Sequence, residues 1–291
     1  MRIPALALLP LVVLSAPAEK KHRAVFYWNM RQQDVISLVH HVPQNDAIRL
    51  AQLRQTFHDL HCLSPDIQEQ HSSQGVNLLC QLPGETPGMI VVAAHYQHIG
   101  NGESAVGDWS GSTMLPFLYH ALTAQPRRHT YLFAAFAGED GARDWMRSLT
   151  SDQRKHIQYM IALDALGLSP VSFYLHPLDM HFTATETTLV DTLELSARES
   201  GLPIPQPLTP HRWFRIDDTK QFRYRNIPSI VIYSEGADHG TLPGGDLDTA
   251  AAIQDDLYYD TYHLLCTFIA ELDQVSDTDS FSSSPQRFHM W

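Results

Sequence analysis

The stretch YLFAAFAGEDGARDW (residues 131–145) decides how the chain folds. Residues 131–137 are apolar without a break. They lack the apolar–polar alternation of a half-exposed strand, and the run is short for a helix, so it reads as a strand buried on both faces. Gly138 ends the run, and two acids, Glu139 and Asp140, follow at once. Adjacent carboxylates at the tip of a buried strand repel each other. They must face water, begin a helix whose dipole favours negative charge, or meet a cation.

Working outward, the same kind of run recurs. MIVVAA (89–94), YMIALDALG (159–167) and PSIVIY (228–233) are further buried strands, and VNLLC (76–80) is another strand. Helical periodicity fills 34–60, 112–124, the segment around ARDWMRSL, 189–199 and 248–272, while 100–107 is a loop. Strands alternating with helices predict an α/β chain, a three-layer α/β/α sandwich around a largely parallel, mixed sheet. No repeat or linker divides it, so residues 19–275 are expected as one domain, followed by a flexible Ser-rich tail at 276–291.

In such sheets ligands bind beyond the carboxyl ends of the strands. MIVVAA is followed by His95, YLFAAFAG by Glu139 and Asp140, and YMIAL by Asp164. PSIVIY leads on to His239, and the loop after His95 adds Asp108. All are nitrogen or oxygen donors of the kind that suits zinc. One His among 17 carries little weight by itself; donors at successive strand ends carry more.

Taken together, AAHYQHIG, VGDWSGS, FAGEDGARDW, ALDALG and DHGTLPGGDLDT resemble, in order and spacing, the motifs of the M28 zinc peptidases, which include bacterial aminopeptidases. The likeness begins near GVNLLCQLPG and ends near Leu272. It implies a zinc-exopeptidase-like fold, two zinc ions and peptide substrates. His95 and Asp164 would bind one metal, Asp140 and His239 the other, and Asp108 would bridge them. Glu139 would be the general base for a water activated by both metals. The pattern departs from the family in four places. Gln97 replaces an Asp that would support the first His, Trp109 replaces an Asn, Asp140 replaces a Glu, and His239 lies nine residues before Asp248, with His211 in reserve. The segment RIDDTKQF, with Asp218, reads as pocket wall. Glu103, Glu235 or Asp238 would supply an acidic rim for a substrate ammonium.

Composition narrows the class further. A net charge of −12 argues against nucleic acid and anionic membrane surfaces. Residues 1–18 read as a signal peptide, with an apolar run over 3–14 and small residues at Ala16 and Ala18. Export to the periplasm or medium, with no stable membrane insertion, follows as an expectation. Of three cysteines, Cys62 and Cys80 are the expected pair and Cys266 a core filler. Two other readings stay open: a single-zinc glutaminyl cyclase-like acyltransferase, and a non-catalytic peptidase-fold binding protein. A serine hydrolase using Ser110 lacks the glycines of a nucleophile elbow, and His-Glu-x-x-His is absent.

Overall fold

The apolar runs become strands because each supplies alternate residues to two different cores. In the computed structural model, which describes residues 30–124, 126–175, 183–208, 218–236 and 243–275 (Glu139 and Ala184 for their backbone alone), the first elements are two helices and a hairpin. These are α1 (Gln32–His40), α2 (Asp46–Asp59), β1 (Ile67–Ser72) and β2 (Gly75–Leu82). Next come β3 (Met89–His95), a π-helical turn (Ala105–Trp109), α3 (Ser110–Thr123), β4 (Thr130–Phe136), α4 (Gly138–Ser148) and α5 (Ser151–Lys155). The chain continues through β5 (Ile157–Asp164), β6 (Ser172–Tyr174), α6 (Ala184–Ser200), α7 (Thr219–Arg223), β7 (Ser229–Tyr233), a 3-10 turn (Ala250–Ala252) and α8 (Asp255–Gln274).

The strands form one seven-stranded sheet in the order β1-β2-β4-β3-β5-β7-β6. Neighbours from β4 to β7 pair in parallel, while β1, β2 and β6 pair antiparallel at the two sides. Ile90, Val92, Phe133, Ile161 and Ile230 face a core under α1, α2, α3, α6 and α8. Their neighbours Val91, Ala93, Leu132, Met160 and Val231 face a second core under α4 and α7. A period-2 backbone covered on both faces requires apolar residues at every position, which is why the runs are unbroken. Burying each large aliphatic side chain contributes ~1.5–3 kcal/mol.

Local signals place the helix ends. The Asn45 side chain accepts from the Ala47 and Ile48 amides at the start of α2. Thr150 with Gln153, and Thr183 with Glu186, form capping boxes at α5 and α6. α3 is buried on almost every side, and Gly111 lets it lie directly on β5: a methyl there would stand 2.5 Å from the Leu163 carbonyl oxygen.

Four expectations are corrected. The helical stretch 34–60 is two helices, broken around Pro43, whose ring removes a backbone donor. The 100–107 loop runs into the π-helical turn at Ala105. The strand at 159–167 ends at Asp164, because Ala165 takes a left-handed conformation (φ +46°). The closing helix begins at Asp255 rather than 248, after the 3-10 turn. The expected signal peptide and tail lie outside the described residues, within which no helix is long and apolar enough to cross a membrane.

Cys62 and Cys80 form a disulfide across a separation of 18 residues, and Cys266 is buried and free. The bridge ties the end of α2 to β2. A loop of that length constrains the unfolded chain by about 3 kcal/mol. The double variant C62A/C80A is therefore expected to lose about 2–4 kcal/mol in urea unfolding; an unchanged midpoint and slope would contradict this.

Candidate metal centre

β3 and β5 are parallel neighbours, so their C-terminal residues, His95 and Asp164, emerge at the same end of the sheet. The π-helical turn carries Asp108 to the same place, buried to 4% exposure. Asp218, at the start of α7, brings its carboxylate Oδ2 to 2.6 Å from His95 Nε2. That contact is short but not aligned as a hydrogen bond, since both ring nitrogens lack a hydrogen-bond partner. It is an ion pair. Two non-glycine residues bordering the site, Ser104 (φ +49°) and Ala165 (φ +46°), are left-handed, at a cost of roughly 1–2 kcal/mol each. Strain of this kind collects where function constrains the backbone.

The electrostatics are unbalanced. Among the described residues, Asp108, Asp164, Asp218 and Asp248 crowd one another around two cationic groups, His95 and Arg49. Burial, reinforced by Asp164 and Asp248, pushes the Asp108 carboxyl up to about 8 against the pull of His95 and Arg49. Burial likewise raises Asp164 to about 7, opposed by His95 and aided by Asp218 and Asp248. For His95 burial works downward, but Asp218, Asp108 and Asp164 outweigh it and raise the ring to about 9. Buried carboxylates in excess of cations must either hold protons or receive a metal ion. Asp108 Oδ1, Asp218 Oδ1 and His95 Nδ1 are buried polar atoms without hydrogen-bond partners. Imidazole, carboxylates, unmatched lone pairs and negative excess fit a divalent cation. Among the described residues no three His, Cys, Asp or Glu side chains converge closely enough to hold one.

The Glu139–Asp140 pair opens α4, which begins at Gly138, so the acids occupy the favourable end of a helix dipole. The fully buried Asn77 pins the turn: its Oδ1 accepts from the Ala137 amide (2.9 Å) and its Nδ2 donates to the Gly141 carbonyl (3.0 Å). At the β1–β2 hairpin, Gln74 Oε1 accepts from the Asp140 amide (3.1 Å). Gly138 is left-handed (φ +61°), and a methyl there would stand 2.1 Å from Gln74 Oε1. The Asp140 carboxylate is turned to Arg143 Nη1 (2.6 Å) and accepts from the Ser73 hydroxyl (3.4 Å).

Comparison with protein families matches residues 77–278 to "Peptidase family M28". The chain belongs to that family. No curated protein matches by sequence. The fold is similar to a zinc aminopeptidase from Bacillus subtilis, with 17% identity and a TM-score of 0.58 over 72% of this chain and 53% of that one. It is also similar to a glutaminyl cyclase from an Acidobacteriales bacterium, with 18% identity and a TM-score of 0.68 over 88% and 99%. A glutaminyl cyclase from Macrostomum lignano matches at 20% identity and a TM-score of 0.67 over 85% and 91%. The chain spans about half the length of the aminopeptidases it matches, 53% and 47%.

Of the M28-pattern residues, His95, Asp108 and Asp164 lie near enough to act on one another electrostatically without closing into a ligand cage, and Asp140 is set against Arg143. His239, Asp238 and His211, and the Glu139 side chain, lie outside the described residues. Gln97 does not hold the His95 ring; its amide donates to the Gln74 carbonyl (2.8 Å). The carboxylate against the ring is that of Asp218. Trp109 is buried beneath α1, with Nε1 donating to the Leu38 carbonyl (3.3 Å), rather than lining a pocket. Glu103 is not a free rim acid, since its Oε2 accepts from the Ala250 amide (2.8 Å). Ser110 is buried and accepts from the Leu166 amide while donating to the Val106 carbonyl, which removes it as a nucleophile. Sequence reasoning missed Arg49 and the partner roles of Asp218 and Asp248; the doubled acid of RIDDT was the one visible trace.

The raised pKa values give the metal-free protein a pH dependence of definite sign. Asp108 and Asp164 are raised from 3.8 to about 8 and 7, so the folded state binds protons that the unfolded state releases. Their stabilisation is present below the unfolded value and is lost as pH rises through 7 and 8. His95, raised from 6.5 to about 9, works in the same direction, its contribution lost as pH rises through 9. The Tm of the metal-free chain is therefore expected to fall between pH 6 and pH 9, and zinc should restore it at the upper end. A metal-free Tm that rises across this range would contradict the assignment.

Proposed function

We propose that the chain is an exported, zinc-dependent aminopeptidase that removes N-terminal residues from peptides. The observation that carries this reading is the buried excess of carboxylates around His95 at the carboxyl ends of β3 and β5, in a chain of the M28 family. Zinc held by His95 and Asp164, and by Asp140 and His239, with Asp108 between, would supply Lewis-acid polarisation of the scissile carbonyl. The chain supplies the rest. Glu139 takes the proton of the attacking water and passes it to the leaving amine. Asp218 orients the His95 ring, and the buried walls exclude bulk water. Peptides with free and N-acetylated termini, compared by mass spectrometry, test the reading. Loss of the first residue from the free peptide alone is expected, and equal cleavage of both would overturn N-terminal recognition. Export is supported by the disulfide and by the signal-like residues 1–18.

A second reading, a glutaminyl cyclase-like acyltransferase with one zinc, is favoured by one specific observation. The chain covers nearly all of the Acidobacteriales glutaminyl cyclase and about half of the aminopeptidases. A peptide beginning with Gln separates the two in the same assay. Loss of ammonia with the backbone intact marks the cyclase, and loss of the residue marks the peptidase.

A further inference from the structure

Arg49 and Asp248 are both fully buried, and neither forms an ion pair among the described residues. Each is matched to backbone groups, most of them in the segment 96–107, which ends next to Asp108. Arg49 Nε donates to the Pro43 carbonyl (2.7 Å), Nη1 to the carbonyls of Tyr96 (3.1 Å) and Ser104 (3.4 Å), and Nη2 to that of Glu103. Its guanidinium lies 5.5 Å from the centre of the Trp109 ring. From the other side, Asp248 Oδ1 accepts from the amides of Val106 (2.7 Å) and Gly107 (3.3 Å), and Oδ2 accepts from Gly244 (2.7 Å). The contact is close: a methyl on Gly107 would stand 2.7 Å from Pro243 Cβ and 3.1 Å from Asp248 Oδ2. A cation thus collects the carbonyls of the segment and an anion its amides, with Asp108 at the end of the run. Buried charges held by backbone dipoles fix geometry tightly, because any displacement leaves one of them unmatched.

We propose that Arg49 and Asp248 are positioning residues that clamp the Asp108 turn from its two sides and present the Asp108 carboxylate to a divalent cation. This rests on the reading of Asp108 as a metal ligand, and the test separates the two. The full chain is stripped of metal and titrated with Zn²⁺ against a chromophoric chelator, and the absorption spectrum of its Co²⁺ form is recorded. D108N, D248N and R49K are compared with the wild type, each shown to be folded by circular dichroism at the working temperature. In D248N an amide N–H₂ must face backbone donors; in R49K the charge stays but the fork is lost. D248N and R49K are expected to weaken Zn²⁺ binding about 10–100-fold and to alter the Co²⁺ spectrum. A purely structural role would lower Tm and leave both readouts unchanged in the folded variants. Wild-type Zn²⁺ affinity in folded D248N and R49K, with D108N impaired, overturns the clamp. Wild-type affinity in D108N overturns the ligand reading itself, and the clamp with it. Should D248N fail to fold, R49K decides by the same criterion.

Discussion

Glu139→Gln is expected to lower kcat by about 10²–10⁴-fold while metal content and Tm stay at wild-type levels. The substitution keeps the size and shape of the side chain and removes its basicity. Glu139 sits in the first turn of α4, where the helix dipole favours a carboxylate by only ~0.3–1 kcal/mol, so the fold tolerates the amide. Metal content holds because the proposed ligands are His95, Asp108, Asp140, Asp164 and His239, not Glu139. A proton acceptor is needed only as water attacks, so the loss falls on kcat rather than on KM. The Asn77 and Gln74 contacts that set the turn reach the backbone of residues 137–141 and are untouched by the change. Steady-state kinetics with elemental analysis of the same sample check the result. Full turnover would remove Glu139 from the mechanism; loss of metal would make it a ligand.

Arg49→Met is expected to destabilise the protein by about 3–5 kcal/mol, because several buried backbone carbonyls lose their donor at once. Met replaces the aliphatic stem, so little apolar contact is lost. What is lost is the partner of the carbonyls of Pro43, Tyr96, Glu103 and Ser104. Each unsatisfied buried acceptor costs roughly 1–3 kcal/mol before relaxation. Asp108 and Asp248 also lose a cation that acts on both, in a site already short of positive charge. Urea unfolding of the metal-free protein measures the effect. A change under about 1 kcal/mol would mean that water or rearrangement replaces the guanidinium, and the buried network would not depend on it.

The strands were legible because both faces of the sheet are covered, which leaves no polar position to interrupt 89–94 or 131–136. His95 and Asp164 were legible for the same reason: they are the first polar residues after such runs. β1, with the sequence IQEQHS, was not, since an edge strand paired on one side keeps polar residues on view. The π-helical turn escaped because Gly and Asp at 107–108 read as loop, and its geometry depends on Asp248, 140 or more residues away. The Asp218–His95 contact joins α7 to β3 across a similar distance in sequence, and no local pattern encodes it. Arg49 was invisible because arginines are ordinarily exposed. Its burial follows from carbonyls that become neighbours only after folding. Asp140 was read for its motif, and its contact with Arg143, three residues on, belongs to ordinary helix-surface pairing.

Elemental mass spectrometry of the purified protein decides whether this M28 chain is a metal enzyme that uses His95, Asp108 and Asp164. Two zinc ions per chain are expected, falling when Asp108 is replaced by Asn. One ion per chain would move the assignment to the cyclase-like reading, and a chain that takes up no metal even when zinc is supplied would contradict the account.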